Sequence, residues 1–252
     1  MAEGPLVHRY VERIRKIAEG ENVSVEFLVK KLKEQNKNFQ LVTLSRIEAY
    51  GKQFRFYFSN KKIVLVHLMI WGYWRFYKKG ESWDKPLSKA KMVIHCGNDE
   101  IVLFSAPVLK IFDENEFLNS KFNTLGPDPL RPDFSKEKFL SNLLSNPEME
   151  IGEALLRQDI ISGIDNILRI EILFNAKIHP RRKIKDVKEK ELDELVYWIL
   201  KLPSDWLFYP EKRKKKFRIY RKAGKPCPRC GTPVEFFRQA VRITHAYPEC
   251  QK

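Results

Sequence analysis

The chain changes its hydrophobic periodicity once, and that change limits the folds open to it. Between about residues 23 and 112, apolar residues alternate with polar ones or form short β-branched runs, as in FQLVTLSRIEAY, QFRFYFSN, KIVLVHLM, KMVIHC and EIVLFSA, with turn residues between them. Phe54, Phe56 and Phe58 alternate with Arg55 and Tyr57, which predicts a strand with one buried and one exposed face. Past LGPDPLRPD at 125–133, whose three prolines and one glycine mark a linker, the spacing turns helical and stays so to about residue 201. Phe139, Leu143 and Leu144 predict one helix and Ile151, Leu155 and Leu156 a second. A third follows from Ile167, Ile170 and Leu173, and a fourth from Leu192, Leu195, Val196, Ile199 and Leu200. Residues 158–166 leave room only for a tight connection between the second and third. Ahead of the β region, Val7, Tyr10, Val11, Ile14 and Ile17 behind Pro5 predict an amphipathic helix over 5–19.

A chain of 252 residues with 43% hydrophobic content can bury one large core or two to three small ones, which excludes disorder throughout. Lys and Arg number 47 against 32 Asp and Glu, a formal net charge of +15 that points to a polyanionic partner, nucleic acid before an anionic membrane surface. The N-terminus lacks the apolar segment of a secretory signal, and no apolar run reaches the roughly eighteen residues of a membrane span. The sequence therefore predicts a soluble, intracellular protein with no membrane partner. Of its 4 cysteines, Cys227, Cys230 and Cys250 crowd into the tail, which in a reducing compartment favours metal ligation over disulfides. Cys96 stands alone and reads as a small buried hydrophobe.

Cys227 and Cys230, followed by a glycine, form half of a zinc knuckle, with two thiolates on one tight turn. The second half offers Cys250, but Tyr247 stands where the other thiolate belongs. His245 lies close by, so a zinc site of Cys227, Cys230, His245 and Cys250 is one reading. A degenerate or weakly metallated ribbon with His245 at the surface is the other. The run EKRKKK at 211–216 reads as a solvated basic face adding salt-sensitive DNA affinity.

Several stretches converge on one family. The N-terminal MAEGP, the YGK turn at 50–52, HLMIWG at 67–72, LGPDPL, the segment GIDNILRIEILF from Gly163, IHP at 178–180 and the tail from Arg242 to Cys250 and Gln251 resemble the formamidopyrimidine-DNA glycosylase / endonuclease VIII family. The resemblance spans the chain in the family's order, and its LRIEIL version is more similar to the endonuclease VIII branch, which removes oxidised pyrimidines. It implies an α+β multidomain fold: an N-terminal β-sandwich with a helix (1–118), a helix-two-turn-helix domain (119–210) and a zinc-ribbon finger (211–252).

The resemblance further implies a monomeric base-excision glycosylase with AP lyase activity on double-stranded DNA carrying oxidised bases or abasic sites. In such an enzyme the damaged nucleotide is flipped out and the N-terminal amine attacks its sugar to form a Schiff base. The nucleophile falls on Ala2 after removal of Met1, where the family usually has proline. Glu3 matches the acid that protonates the sugar ring oxygen, and Lys52 the hairpin lysine that assists elimination. His67, Met69 and Ile70 match the strand end that enters the gap left by the flipped nucleotide, with Ile70 as the wedge. Asn166 at a helix start and Arg242 at the ribbon tip match the residues that grip the phosphates, and Arg242 also the proton donor of the second elimination. Asp165 departs from the family's glycine, which a helix-capping role would explain. Glu171 matches a conserved acid of structural role. Ala2, Asp165 and Tyr247 together leave open a noncatalytic damage-binding protein on the same scaffold.

Overall fold

The computed structural model describes residues 3–209 and 217–252, so the expectations placed on Ala2 and on the basic run at 211–216 lie outside the described residues. The chain divides into two compact units, Leu6–Asn123 and, in the other, Glu3–Pro5 with Thr124–Lys252.

Helix α1 (Gly4–Ala18) buries Val7, Val11, Ile14 and Ala18, the stripe its periodicity predicts. Eight strands follow in the first unit: β1 (Asn22–Phe27), β2 (Val42–Tyr50), β3 (Gln53–Phe58), β4 (Lys62–His67), β5 (Tyr73–Lys78), β6 (Ala90–Cys96), β7 (Asp99–Phe104) and β8 (Val108–Asp113). Their hydrogen-bonded order is β5-β7-β6-β1-β2-β3-β4-β8. Strand β1 pairs with β6 over Ser24 to Phe27 but with β2 only at Asn22 and Val23, so the ladder folds over at that join. Phe27, Trp74, Ile94 and Leu103 from one half meet Leu44, Phe54, Phe56 and Val66 from the other in a single core with α1. The result is a β-sandwich. Cys96 belongs to that core.

Two parts of this unit differ from expectation. Residues Lys30–Phe39, inside the β-rich stretch, wind into a 3-10 helix whose Phe39 packs edge-on against Phe27 and Phe58, with ring centroids 5.1 Å apart in each case. The second face of β3 is not exposed, because α2 (Glu114–Leu118) and the segment after it lay Phe117 and Phe122 beside Ile63 and Leu65. Arg55 is thus buried, its guanidinium stacked over Tyr50 at 4.4 Å and Phe117 at 5.0 Å and donating to the Phe122 carbonyl at 3.0 Å. A long stem and planar head let arginine occupy such a place. Burial lowers its pKa, and Tyr57 and Glu48 oppose the shift.

The second unit holds α3 (Lys136–Leu144), α4 (Ile151–Ala154), α5 (Asn166–Ala176), α6 (Glu189–Phe208) and a hairpin of β9 (Glu235–Gln239) and β10 (Arg242–Ala246). Ser135 caps α3 by accepting the Lys138 N–H at 3.0 Å. Gln158 braces the tight turn before α5, accepting from Gly163 N at 3.1 Å and donating to the Ile164 carbonyl at 3.0 Å. Helix α6 runs past residue 201 and through Pro203 to Phe208. The proline removes one helical donor, and burial of Trp206 one turn on offsets that loss.

Candidate functional site

In the first unit, Tyr50 pairs with Gln53, leaving Gly51 and Lys52 as a two-residue turn with Gly51 at φ 57°. Lys52 is half-buried there. Its charge bears on His67 at the end of β4, whose pKa is pushed down to about 4, first by burial and then by Lys52. The imidazole is therefore neutral, and Nδ1 accepts the Met69 N–H at 3.0 Å, which leaves the proton on Nε2. That bond holds Met69 at φ 49° and starts a turn that exposes Met69, Ile70 and Trp71 in succession, Trp71 by 70%. Gly72 closes it, since a Cβ there would stand 2.8 Å from the Leu68 backbone. Three consecutive exposed apolar side chains suit insertion between bases. The motif reading singled out Met69 and Ile70 but missed Trp71, although a large indole beside the wedge position was legible.

The neutral form of His67 makes the loop pH-sensitive. Its contribution to stability is complete above the unfolded-state pKa of 6.5 and is lost as pH falls toward about 4. The stability advantage of the wild type over His67→Asn, read as a difference in melting temperature, is expected to shrink across that window. An advantage constant with pH would mean that the imidazole is not held neutral.

In the second unit, Glu3 is buried and Gly4 N donates to the Gly163 carbonyl at 3.1 Å. A Cβ on Gly4 would sit 3.2 Å from that oxygen, a tighter contact than most side chains make. Asp165 caps α5, its Oδ1 accepting from Ile167 N at 3.0 Å and Leu168 N at 2.9 Å. The carboxylate is thus committed to the helix. Asn166 Nδ2 donates to the Ile243 carbonyl at 2.9 Å and Oδ1 accepts from Arg169 at 2.6 Å, which ties the start of α5 to β10. The exposed Arg242 begins β10, directly after the Ala240–Val241 turn, where both residues have positive φ.

The organiser of this corner is Arg169, which no motif pointed to. It is fully buried and donates to the Gly152 carbonyl at 3.1 Å, Gln239 Oε1 at 2.9 Å, Asn166 and the Thr244 hydroxyl. Burial lowers its pKa to about 10. Gln239 continues the network to Glu150 at 2.6 Å and the Pro180 carbonyl at 2.9 Å. Glu171, equally buried, accepts the backbone N–H groups of Arg218, Ile219 and Tyr220 at 2.9, 3.1 and 2.9 Å, anchoring the chain where it enters the ribbon.

The thiols of Cys227, Cys230 and Cys250 have their sulfurs within 4.8 Å of one another, and Cys227 lies 3.7 Å from Cys250. Arg229 N points at Cys227 Sγ at 3.3 Å, as on a metal-binding knuckle. The Thr232 hydroxyl favours the Cys230 thiolate, and its neighbours push the Cys250 thiol up. His245 is not brought to this group: its ring meets Tyr220 at 5.8 Å, and burial with the charge of Arg169 holds it neutral. In the hairpin register it pairs with Phe236.

Residues 1–107 match the formamidopyrimidine-DNA glycosylase N-terminal domain and residues 125–202 the formamidopyrimidine-DNA glycosylase H2TH domain. Endonuclease 8 of Escherichia coli is 26% identical over 265 residues, covering 100% of both chains. Endonuclease 8 of Salmonella agona is 26% identical over 266 residues with the same coverage. Among solved structures, a complex between Lactococcus lactis Fpg and DNA containing an abasic site shares the fold with a TM-score of 0.84 at 21% identity, over 99% of each chain. MutM in complex with DNA containing carbocyclic 8-oxo-G gives the same TM-score of 0.84, identity of 21% and coverage of 99%. No helix among the described residues is long and apolar enough to cross a membrane. With a β-sandwich, a helical unit and a three-thiol ribbon in the order of both matched domains, the chain belongs to the formamidopyrimidine-DNA glycosylase / endonuclease VIII family of bifunctional DNA glycosylases and AP lyases.

Proposed function

We propose that this chain excises oxidised pyrimidines from double-stranded DNA and cleaves the resulting abasic site through a Schiff base on Ala2. An α-amine has a pKa near 7.7 to 8.0 and is in good part neutral at cellular pH, unlike a lysine ammonium. It attacks C1′ of the flipped nucleotide, the base leaves with a proton, and the imine draws electrons so that the phosphates are eliminated in turn. Glu3 protonates the sugar ring oxygen and Lys52 assists elimination. His67, Met69 and Ile70 fill the gap in the stack. Asn166 and Arg242 hold the phosphates, and Arg242 donates the proton of the second elimination. The division of labour follows a β-sandwich over 1–118, a helix-two-turn-helix domain over 119–210 and a ribbon over 211–252, in a monomer.

The observation that supports this reading best is the clasp from Asn166 to Ile243, which sets the start of α5 beside the strand that begins with Arg242. Zinc suits the three thiolates, and when bound it would contribute folding energy to the ribbon. The thiols Cys227, Cys230 and Cys250 would hold it.

Intact-protein mass spectrometry with borohydride and a duplex carrying one abasic site tests the chemistry. A covalent adduct mapped to Ala2, on chain that has lost Met1, is the expected result. Tight duplex binding without an adduct by such chain would leave a noncatalytic damage-binding protein.

A further inference from the structure

We infer that the nucleotide left unpaired when its partner is flipped out leaves the stack and docks in a cleft of the first unit, its base against Trp71 and its phosphates on Lys89 and Lys91. The inference rests on the proposed flipping of a nucleotide from double-stranded DNA and not on the lyase step.

The cleft encloses about 550 Å³ and is lined by Trp71, Lys89, Lys91 and Ser105, with Val29 and Pro107 among its apolar residues. That volume lies within the roughly 300–1,000 Å³ of small-ligand sites and suits one nucleotide. Its walls are held by backbone. Ser105 N donates to the Lys89 carbonyl at 2.8 Å, and Leu28 N, next to Val29, donates to the Lys91 carbonyl at 3.0 Å. The turn that carries Trp71 packs on the loop between β7 and β8, since a Cβ on Gly72 would stand 3.0 Å from the Ala106 Cα. A cleft so preformed loses little freedom when it is filled.

Its chemistry is that of a single-strand site. The exposed indole offers a face on which any base can stack, and the lysines offer charge to the sugar–phosphate backbone. Neither Lys89 nor Lys91 has an acidic partner among the described residues. Lys30, Lys31 and Lys33, all exposed, follow Val29 in the chain and extend the charge, with Glu34 as the one acid from 29 to 34.

An intact duplex hides the faces of its bases, so a base reaches such a cleft only where its pair is broken. Flipping breaks one pair at the wedge, Ile70, and Trp71 is the next residue. The base that loses its partner is thus the one closest to the indole.

The test uses the full chain and a duplex with a tetrahydrofuran abasic analogue opposite 4-thiothymine. On irradiation the wild type is expected to cross-link the thiobase to Trp71 or to the segment from Lys89 to Lys91. Trp71→Ala is expected to bind this duplex about tenfold more weakly than wild type, and to match wild type on a duplex that lacks the opposite base as well. The double variant Lys89→Ala, Lys91→Ala should keep the wild-type melting temperature and lower the slope of log affinity against log salt by about 2. Cross-links confined to Met69 and Ile70, or an equal loss by Trp71→Ala on both duplexes, would overturn the inference by leaving the unpaired base in the stack. Cross-linking through the cleft by chain that forms no borohydride adduct would overturn the lyase chemistry and support this inference. No preference for the tetrahydrofuran duplex over an intact one would overturn both.

Discussion

Arg169→Ala is expected to lower the stability of the second unit by about 4 kcal/mol, the largest single loss foreseen outside the hydrophobic cores. The guanidinium serves four acceptors at once, the Gly152 carbonyl, Gln239, Asn166 and the Thr244 hydroxyl. Removing it strands those oxygens, three of them on buried bonds, at roughly 1 kcal/mol or more each. Arg169→Lys should recover little, because a point ammonium cannot reproduce a planar fork that bonds in four directions. The check is thermal denaturation together with hydrogen exchange. A fall in melting temperature of about 10 °C is expected, with faster exchange concentrated in Glu235–Gln239 and Arg242–Ala246. A loss under about 1 kcal/mol would show that solvent can replace the network.

Arg242→Ala is expected to do the reverse, leaving stability within about 0.5 kcal/mol of wild type while reducing cleavage of an abasic duplex roughly 100-fold. The side chain is exposed, so its loss removes little packing. Under the proposed function it grips a phosphate and donates a proton, so its loss should also lower the slope of log affinity against log salt by about 1. Cleavage at the wild-type rate would remove Arg242 from the reaction. The pair of variants separates presentation from chemistry: Arg169 holds the hairpin, and under the proposed function Arg242 acts from its tip.

Much of the fold was legible because its signals are local. The stripe of Val7, Val11 and Ile14 needs only its own helix, and the Cys227–Cys230 turn only four residues and a glycine. Asp165 departs from the family's glycine, and its side chain caps α5 as the sequence suggested, a role a short carboxylate at a helix start performs whatever surrounds it. Trp71 could have been found by extending the wedge argument one residue. Arg55 could not, since its burial depends on Phe117 and Phe122, more than sixty residues on.

The placement of Gln239 and Glu150 around Arg169 is of the same kind. Gly152 belongs with them: a Cβ there would sit 2.3 Å from Gln239 Oε1, a constraint invisible until the hairpin is docked. His245 shows the limit from the other side. Its distance along the chain from Cys250 suited a ligand, but the fold sets its ring against Tyr220 and leaves it out of the thiol group. Periodicity, turns and caps are written in neighbouring residues, so the sequence by itself determined the two textures, the thiol turn and the family. Which polar groups are buried together depends on contacts between distant segments, and only the tertiary structure decided that.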